Sequence, residues 1–595
     1  MKRLAKYAAV FSTPFIGALF LVVSLGGCGV ASSIEAPVCT DAGDSGFAPR
    51  DSDGIPRDTD TQRETEPLQP DTAGADSDID EAPHAHEVTV PYARAAGVQL
   101  TAIDAYQAFR IPLMDDGVVL VPDNHFVAGK HTLFRLYAAP LVDVAAGVDI
   151  DVAAQATVHM PDGGTRIFVG HASPLRDVAA GTLDELATTL NVVVAGDAVH
   201  PDMGIAFEVV DVSAPLTDTD TDADTDTDTD ATAKPANDGA LWPVGAPHSL
   251  YVERALGPLR IKVLPVAYHT EQDVLLPDVD EVALKNLRRR LVGMFPASDI
   301  QIEMGESMPW QERIPPLDPV AIQNLLNAVL ELRQQQKPDK DVYYVALFKP
   351  AKHYNTHCKN SCYAGLSWVV NDVDMHQMRA SVVLGYLNDP ENGDYIIDTI
   401  LHELGHALGR EHSPAGNADN VDPNFPYELG DIGVQGYDAM RDMLFAPDTT
   451  YDIMGYQLPQ WISDYTWNAI FERICATYRA TGLAVRGALP SQAQATPQMW
   501  QTVDVGANDW FAHGPPMWFD KAPVGSEAFP VWFLNAHGDV LATGSATMVP
   551  LSVSGGGKVF YQLPAHQVPS DVHRLRFEST YLGRVDIPAF ATQLP

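Results

Sequence analysis

The chain has 595 residues, 46% of them apolar, so there is room for several domains with sizeable cores. Its formal charge is -40, and a surface that acidic repels phosphate, which argues against nucleic acid and anionic lipid headgroups as partners. Much of this charge lies in two low-complexity stretches and says little about the folded parts.

Lys2, Arg3 and Lys6 precede an apolar run from Ala8 to Leu25, the pattern of a targeting segment over 1–27 that takes no part in the fold. The run ends in Leu25-Gly26-Gly27-Cys28, which resembles a bacterial lipobox. The resemblance implies that Cys28 is acylated and becomes the mature N-terminus. Gly29 follows it rather than Asp, which implies an outer-membrane lipoprotein or an extracellular surface of the bacterial cell envelope, held to the membrane by its lipid. An ordinary cleaved signal or a single membrane anchor is the alternative. No other apolar run is long enough to span a bilayer.

Residues 28–86 are rich in Asp, Pro, Gly, Thr and Ser and read as a disordered acidic tether. From 87 to 256 the pattern is of short strands. Val98, Leu100 and Ala102 alternate, as do Ile205, Phe207 and Val209. Leu133–Tyr137 and Val192–Val194 are β-prone, and Pro161-Asp162-Gly163-Gly164 is a turn. This predicts an N-terminal β-sandwich closed by a strand near Ser249–Glu253, with a Thr-Asp-rich loop over 216–238. The repeat from Thr217 to Asp230 lacks the glycines that turn a backbone around calcium, so it reads as a solvated spacer.

From 257 to 482 strands and helices alternate. Leu259, Ile261 and Val263 predict a strand; Leu284, Leu287, Leu291 and Phe295 a helix; Ile300 and Ile302 a strand; Ile322, Leu325, Val329 and Leu332 a second helix. Strands follow at Val342–Phe348 and Ser381–Leu387. Ile397, Ile400, Leu401, Leu404 and Leu408 then share one face of a long helix, and another helix spans Asp464–Ala480. This order implies an α/β domain. The remainder, 483–595, reads as a small C-terminal β domain, with a hairpin turn at His537-Gly538-Asp539 between Val531–Asn535 and Val540–Thr543.

Export permits disulfides. Cys358 and Cys362 enclose a short loop and could pair, or could join His353 and His357 in a second zinc site, although no second ligand pair at finger-like spacing follows. Cys475 reads as a small buried hydrophobe and Cys39 as a tether cysteine.

One segment carries chemistry: His402-Glu403-Leu404-Gly405-His406-Ala407-Leu408-Gly409-Arg410-Glu411-His412. His402 and His406 stand one turn apart on a helix, so both imidazoles can grip one ion. Gly409 can adopt a left-handed backbone that ends the helix and returns His412 as a third ligand. Three histidines leave the fourth position of zinc open for water, and Glu403 beside it can take the water's proton. Downstream runs Tyr451-Asp452-Ile453-Met454-Gly455-Tyr456.

Together these residues resemble the metzincin clan of zinc endopeptidases. The resemblance spans about 257–480 and implies a metzincin-like catalytic domain with zinc as cofactor. It implies zinc ligands His402, His406 and His412, and catalytic roles for Glu403 and Tyr456. Met454 would lie beneath the site as the methionine turn, and Tyr456 would ligate zinc or donate to the oxyanion. Ser413-Pro414 follows the third histidine where matrixins carry Asp, so no family within the clan is assigned. The expected function is hydrolysis of peptide bonds in extracellular proteins or peptides, by strand addition beside a sheet edge. The alternatives are a zinc-binding surface adhesin, which would need the ligands but not Glu403, and a hydrolase of non-peptide amides.

Overall fold

The strand expected around Val98–Ala102 forms, but its phase slips. It runs over Val98–Tyr106, and a bulge opposite Tyr137–Ala138 falls between Leu100 and Ala102. The extra residue moves the buried face from Val98 and Leu100 to Ile103 and Ala105, leaving Ala102 only partly covered. The computed structural model describes residues 85–589 apart from 123, 125, 142–149, 179–180, 216–237, 255, 482–496, 507–509, 554–555, 564–571 and 581. The described residues fall in one compact unit, Cys39–Pro595. The targeting run, Cys28, Cys39 and the Thr-Asp repeat lie outside the described residues. The described part is multi-sheet and mostly β, with few helices.

Up to Glu253 the chain builds an eight-stranded and a five-stranded sheet. Their apolar faces meet at Phe134 and Phe207, whose rings lie 4.8 Å apart. The expected closing strand is two short pieces: His248–Ser249 joins the larger sheet, and Val252–Glu253 pairs in parallel with Phe126–Val127.

The next sheet positions the histidines. Strand β1 is Leu259–His269, and helix α1, Glu281–Met294, is capped by Asp280 accepting from the Ala283 N–H. Strand β2 is Ile300–Met304, and helix α2, Pro319–Gln336, starts at the Asp318 cap with Pro at its first position. Strand β3 is Val342–Phe348, β4 is Gly365–Ser367 and β5 is Ala380–Leu384. Helix α3 is Gly393–Ala407 and α4 is Asp464–Ala480. β1 pairs in parallel with β2 and β3, and β3 with β5; β4 runs antiparallel to β5 at the edge. Every residue of β3 and β5 is buried, as parallel strands covered by helices require. β5 stops at Leu384, short of the expected Leu387; the Gly385 N–H still donates to Phe348 O and its carbonyl accepts from the Asp278 N–H, each at 2.8 Å, in a close approach to Pro277 that leaves no room for a Cβ.

The C-terminal region is a seven-stranded, fully antiparallel sheet that includes β6, Val540–Pro550, and β7, Gly557–Tyr561. One continuous apolar core runs from Ala95 to Phe560, so the three regions pack on one another. Cys358 and Cys362 form a disulfide. Cys475 is buried as expected, but it is disulfide-bonded and not a simple apolar filler. No described helix is long and apolar enough to cross a membrane.

Candidate metal centre

Helix α3 is held by Ile396, Ile397, Ile400, Leu401 and Leu404, whose spacing buries one stripe against the sheet. The same helix carries His402 and His406. It ends as the glycine predicts: Gly409 has φ 86°, its N–H donates to His406 O at 2.8 Å, and the Arg410 N–H donates to Gly405 O at 2.9 Å. This left-handed cap turns the chain back over the helix end. A side chain at Gly409 would strike Val370 O and Arg473, so the turn has no room for another residue.

The returning segment delivers His412. Its carbonyl accepts from the Asp422 N–H at 2.8 Å, and the next N–H, that of Ser413, donates to Met454 O at 3.1 Å. Asp422 is itself held by Arg410 and by the Tyr465 hydroxyl, each at 2.9 Å.

The three imidazoles converge. His406 Nε2 lies 3.0 Å from His402 Nε2 and 3.1 Å from His412 Nε2. The Nδ1 of each ring faces a backbone carbonyl: Ile453 O at 2.7 Å for His402, Arg410 O at 2.6 Å for His406, and Asp419 O for His412. Those carbonyls can only accept, so each Nδ1 carries the proton and each Nε2 offers a lone pair inward. Three lone pairs pointed at one another repel unless a cation sits among them. Burial pushes His402 down to about 3, helped by the charge of His412, and His412 down to about 4; His406 falls well below the ordinary value for the same reasons. Neutral, fixed and convergent, this buried triad fits a metal ion: around a tetrahedral zinc, imidazole nitrogens stand about 3.3 Å apart.

Met454 lies beneath α3. A Cβ on Gly405 would come 2.5 Å from its sulfur, so this glycine lets the helix settle on the methionine. The turn is fixed by Asp452, fully buried, which accepts from the Met454 N–H at 2.8 Å and the Ser463 N–H at 2.9 Å. Sequence reasoning passed over Asp452; its signal was an Asx-type residue two places before the methionine. The turn also presents Tyr456, whose hydroxyl is 3.0 Å from His412 Nε2. Withdrawal from water, then the charges of Glu403 and Asp419, raise its pKa, so it stays protonated and able to donate.

Glu403 is buried at 5% exposure, and burial pushes its carboxyl up to about 8 against the opposing hydrogen bond from Ser552; a cation held by the neighbouring triad would draw that value down again and leave the carboxylate ionised. The Ser552 hydroxyl donates to Oε2 at 3.3 Å. Ser552 belongs to the loop between β6 and β7, and nothing in the sequence pointed to it. The Cys358–Cys362 bridge closes its own loop. His353 and His357 do not join those sulfurs in a metal site, because a bridged pair has no thiolate to give.

No family model matches the chain, and no curated protein matches it. Among solved structures, a chaperone–substrate complex is similar at 14% identity and TM-score 0.21, over 38% of this chain and 39% of that one. The chain therefore spans well under half the length of that relative. Archaemetzincin from Methanopyrus kandleri is similar at 13% identity and TM-score 0.17, over 38% of this chain and 93% of that one.

Proposed function

We propose that the chain is a zinc-dependent peptidase with Glu403 as general base. The observation that carries this reading is the buried triad of His402, His406 and His412, with each Nδ1 engaged by a carbonyl and each Nε2 turned inward. Imidazole-only ligation suits zinc. Zinc bound there supplies Lewis acidity at its open position.

The rest falls to the protein's own groups. Glu403 neighbours a ligand on the same helix and takes a proton from the attacking water, then returns it to the departing amine. Tyr456 keeps its phenolic proton and donates to the carbonyl oxygen as negative charge builds there. Met454 and the carbonyls of Ile453, Arg410 and Asp419 hold the rings still. A surface adhesin would use the triad alone; the buried Glu403 with its own donor, Ser552, favours a hydrolase. Peptide bonds are the proposed target. Whether bonds inside a long protein chain qualify depends on the sheet edge beside Glu403.

His406→Ala tests the centre. Metal analysis of the purified proteins should show the variant lower by about one equivalent, since the central ligand is gone. Equal zinc in both would remove the basis for the proposal. Tyr456→Phe tests the donor: kcat should fall by roughly tenfold to a thousandfold with little change in KM, the range expected when an oxyanion donor is lost. A rate near wild type would reduce Tyr456 to a packing residue.

A further inference from the structure

The edge strand beside Glu403 is already occupied on both sides of one residue. In an antiparallel pair, residues alternate between those bonded across to the neighbour and those whose N–H and C=O face outward. On β4 the inward set includes Ala364, whose carbonyl accepts from the Leu384 N–H at 2.9 Å. The outward set is therefore Tyr363, Gly365, Ser367 and, beyond the strand, Val369.

Three of these four are engaged. The Tyr363 N–H donates to Pro316 O at 2.9 Å, from the segment that leads into α2. The Ser367 carbonyl accepts from the Ser552 N–H at 2.9 Å, and the Ser367 N–H donates to the Ser552 hydroxyl at 3.1 Å. The Val369 N–H donates to Pro550 O at 3.0 Å, and Trp368 faces Leu551 in an antiparallel bridge. The tip of the β6–β7 hairpin thus lies on the catalytic sheet as a short added strand. It is held there by Leu551 in the common core and by the Lys558 ammonium over the Trp368 ring at 5.4 Å.

Gly365 stands between these contacts. Its N–H and C=O face outward and have no partner among the described residues, although the residue is buried. A buried unmet pair of this kind is costly, and a ligand's main chain would relieve it. Gly365 also adjoins the chemistry: a Cβ there would lie 2.6 Å from Glu403 Oε1.

We infer that the site takes short peptides or the ends of longer ones, paired with the sheet at Gly365 alone. A strand pairs through every second residue, so the neighbours of the pairing residue at plus and minus two would overlap Pro316 and Ser552. The gap holds about three extended residues. The inference rests on the peptidase reading above. It narrows the substrate from extended segments of proteins to chain ends, because the chain's own hairpin and the Pro316 segment fill the places where a long strand would add.

The test uses the full-length protein loaded with zinc, with Glu403→Gln as control. The substrates are a nested series of peptides lengthened one residue at a time at either end, with products identified by mass spectrometry. The expected result is cleavage next to a chain end, with kcat/KM falling about tenfold or more once residues extend past the gap on both sides. Cleavage in the interior of long peptides, at rates that hold or rise with length, would overturn the inference and leave the peptidase intact. If wild type and Glu403→Gln alike leave every peptide whole, the peptidase reading fails and the inference falls with it.

Discussion

Glu403→Gln should keep its metal and lose its turnover. The side chain ligates nothing: the inward lone pairs belong to His402, His406 and His412, and the Glu403 carboxylate meets the Ser552 hydroxyl. Glutamine has the same shape, and its amide oxygen can still accept from Ser552, so the burial and the hairpin contact survive. What disappears is a group able to take a proton. General-base help is typically worth roughly a hundredfold to ten-thousandfold, and kcat should fall by that factor while metal content and melting temperature stay near wild type. Peptide-cleavage rates at matched metal content decide it. A glutamine variant as fast as wild type would leave a metal-binding protein without a hydrolytic mechanism.

The residues of this site differ in how far the sequence could reveal them, and the difference is one of locality. His402 and His406 are set by one helical turn, and Gly409 announces its turn because few other residues adopt a positive φ. Met454 and Tyr456 followed from resemblance at short fixed offsets. Ser552 is 149 residues from Glu403, and only the docking of two sheets brings them together. Pro316, which meets the edge strand at Tyr363, is likewise distant in sequence, though it comes from the segment leading into α2 and not from another sheet. Alternation and resemblance pointed to a sheet edge beside the site, but could not show that the chain's own segments fill much of it. Strand phase failed locally at Leu100–Ala102, where a bulge inserts a residue that no alternation pattern shows. Cys475 was legible as buried, from its place on the apolar face of α4, but a disulfide depends on a partner that spacing does not name.

Arg290→Met should destabilise the fold strongly. Arg290 leaves α1 and grips Asp398 of α3 with two bonds, 2.7 and 2.9 Å. It reaches Asp438, in the strand Gly436–Asp438, at 3.2 Å, and its guanidinium lies 5.0 Å from the centre of the Trp461 ring. Asp398 sits one turn before His402, so this ion cluster fixes the register of α3 against α1. Methionine fills much of the volume but takes from Asp398 both of its bonds to Arg290, while Asp438 keeps the Met440 N–H at 2.9 Å and the Arg441 guanidinium at 3.8 Å. Breaking a buried pair on one side costs roughly 3–5 kcal/mol, because the remaining charge is uncompensated. The pH dependence has a definite sign. Burial already holds the Asp398 carboxyl above its ordinary value, with Arg290 opposing it, and removing Arg290 raises it further. A carboxyl raised in the folded state binds its proton more readily there than in the unfolded chain. The folded variant therefore gains relative to wild type as pH falls through that raised value, and loses as pH rises through it. Thermal melting of wild type and variant across the acid range should show the gap narrowing toward low pH, and adding Asp398→Asn to Arg290→Met should restore part of the loss at neutral pH. A gap of constant size at every pH, unrelieved by the second substitution, would mean that Arg290 acts through packing on Trp461 and not through charge.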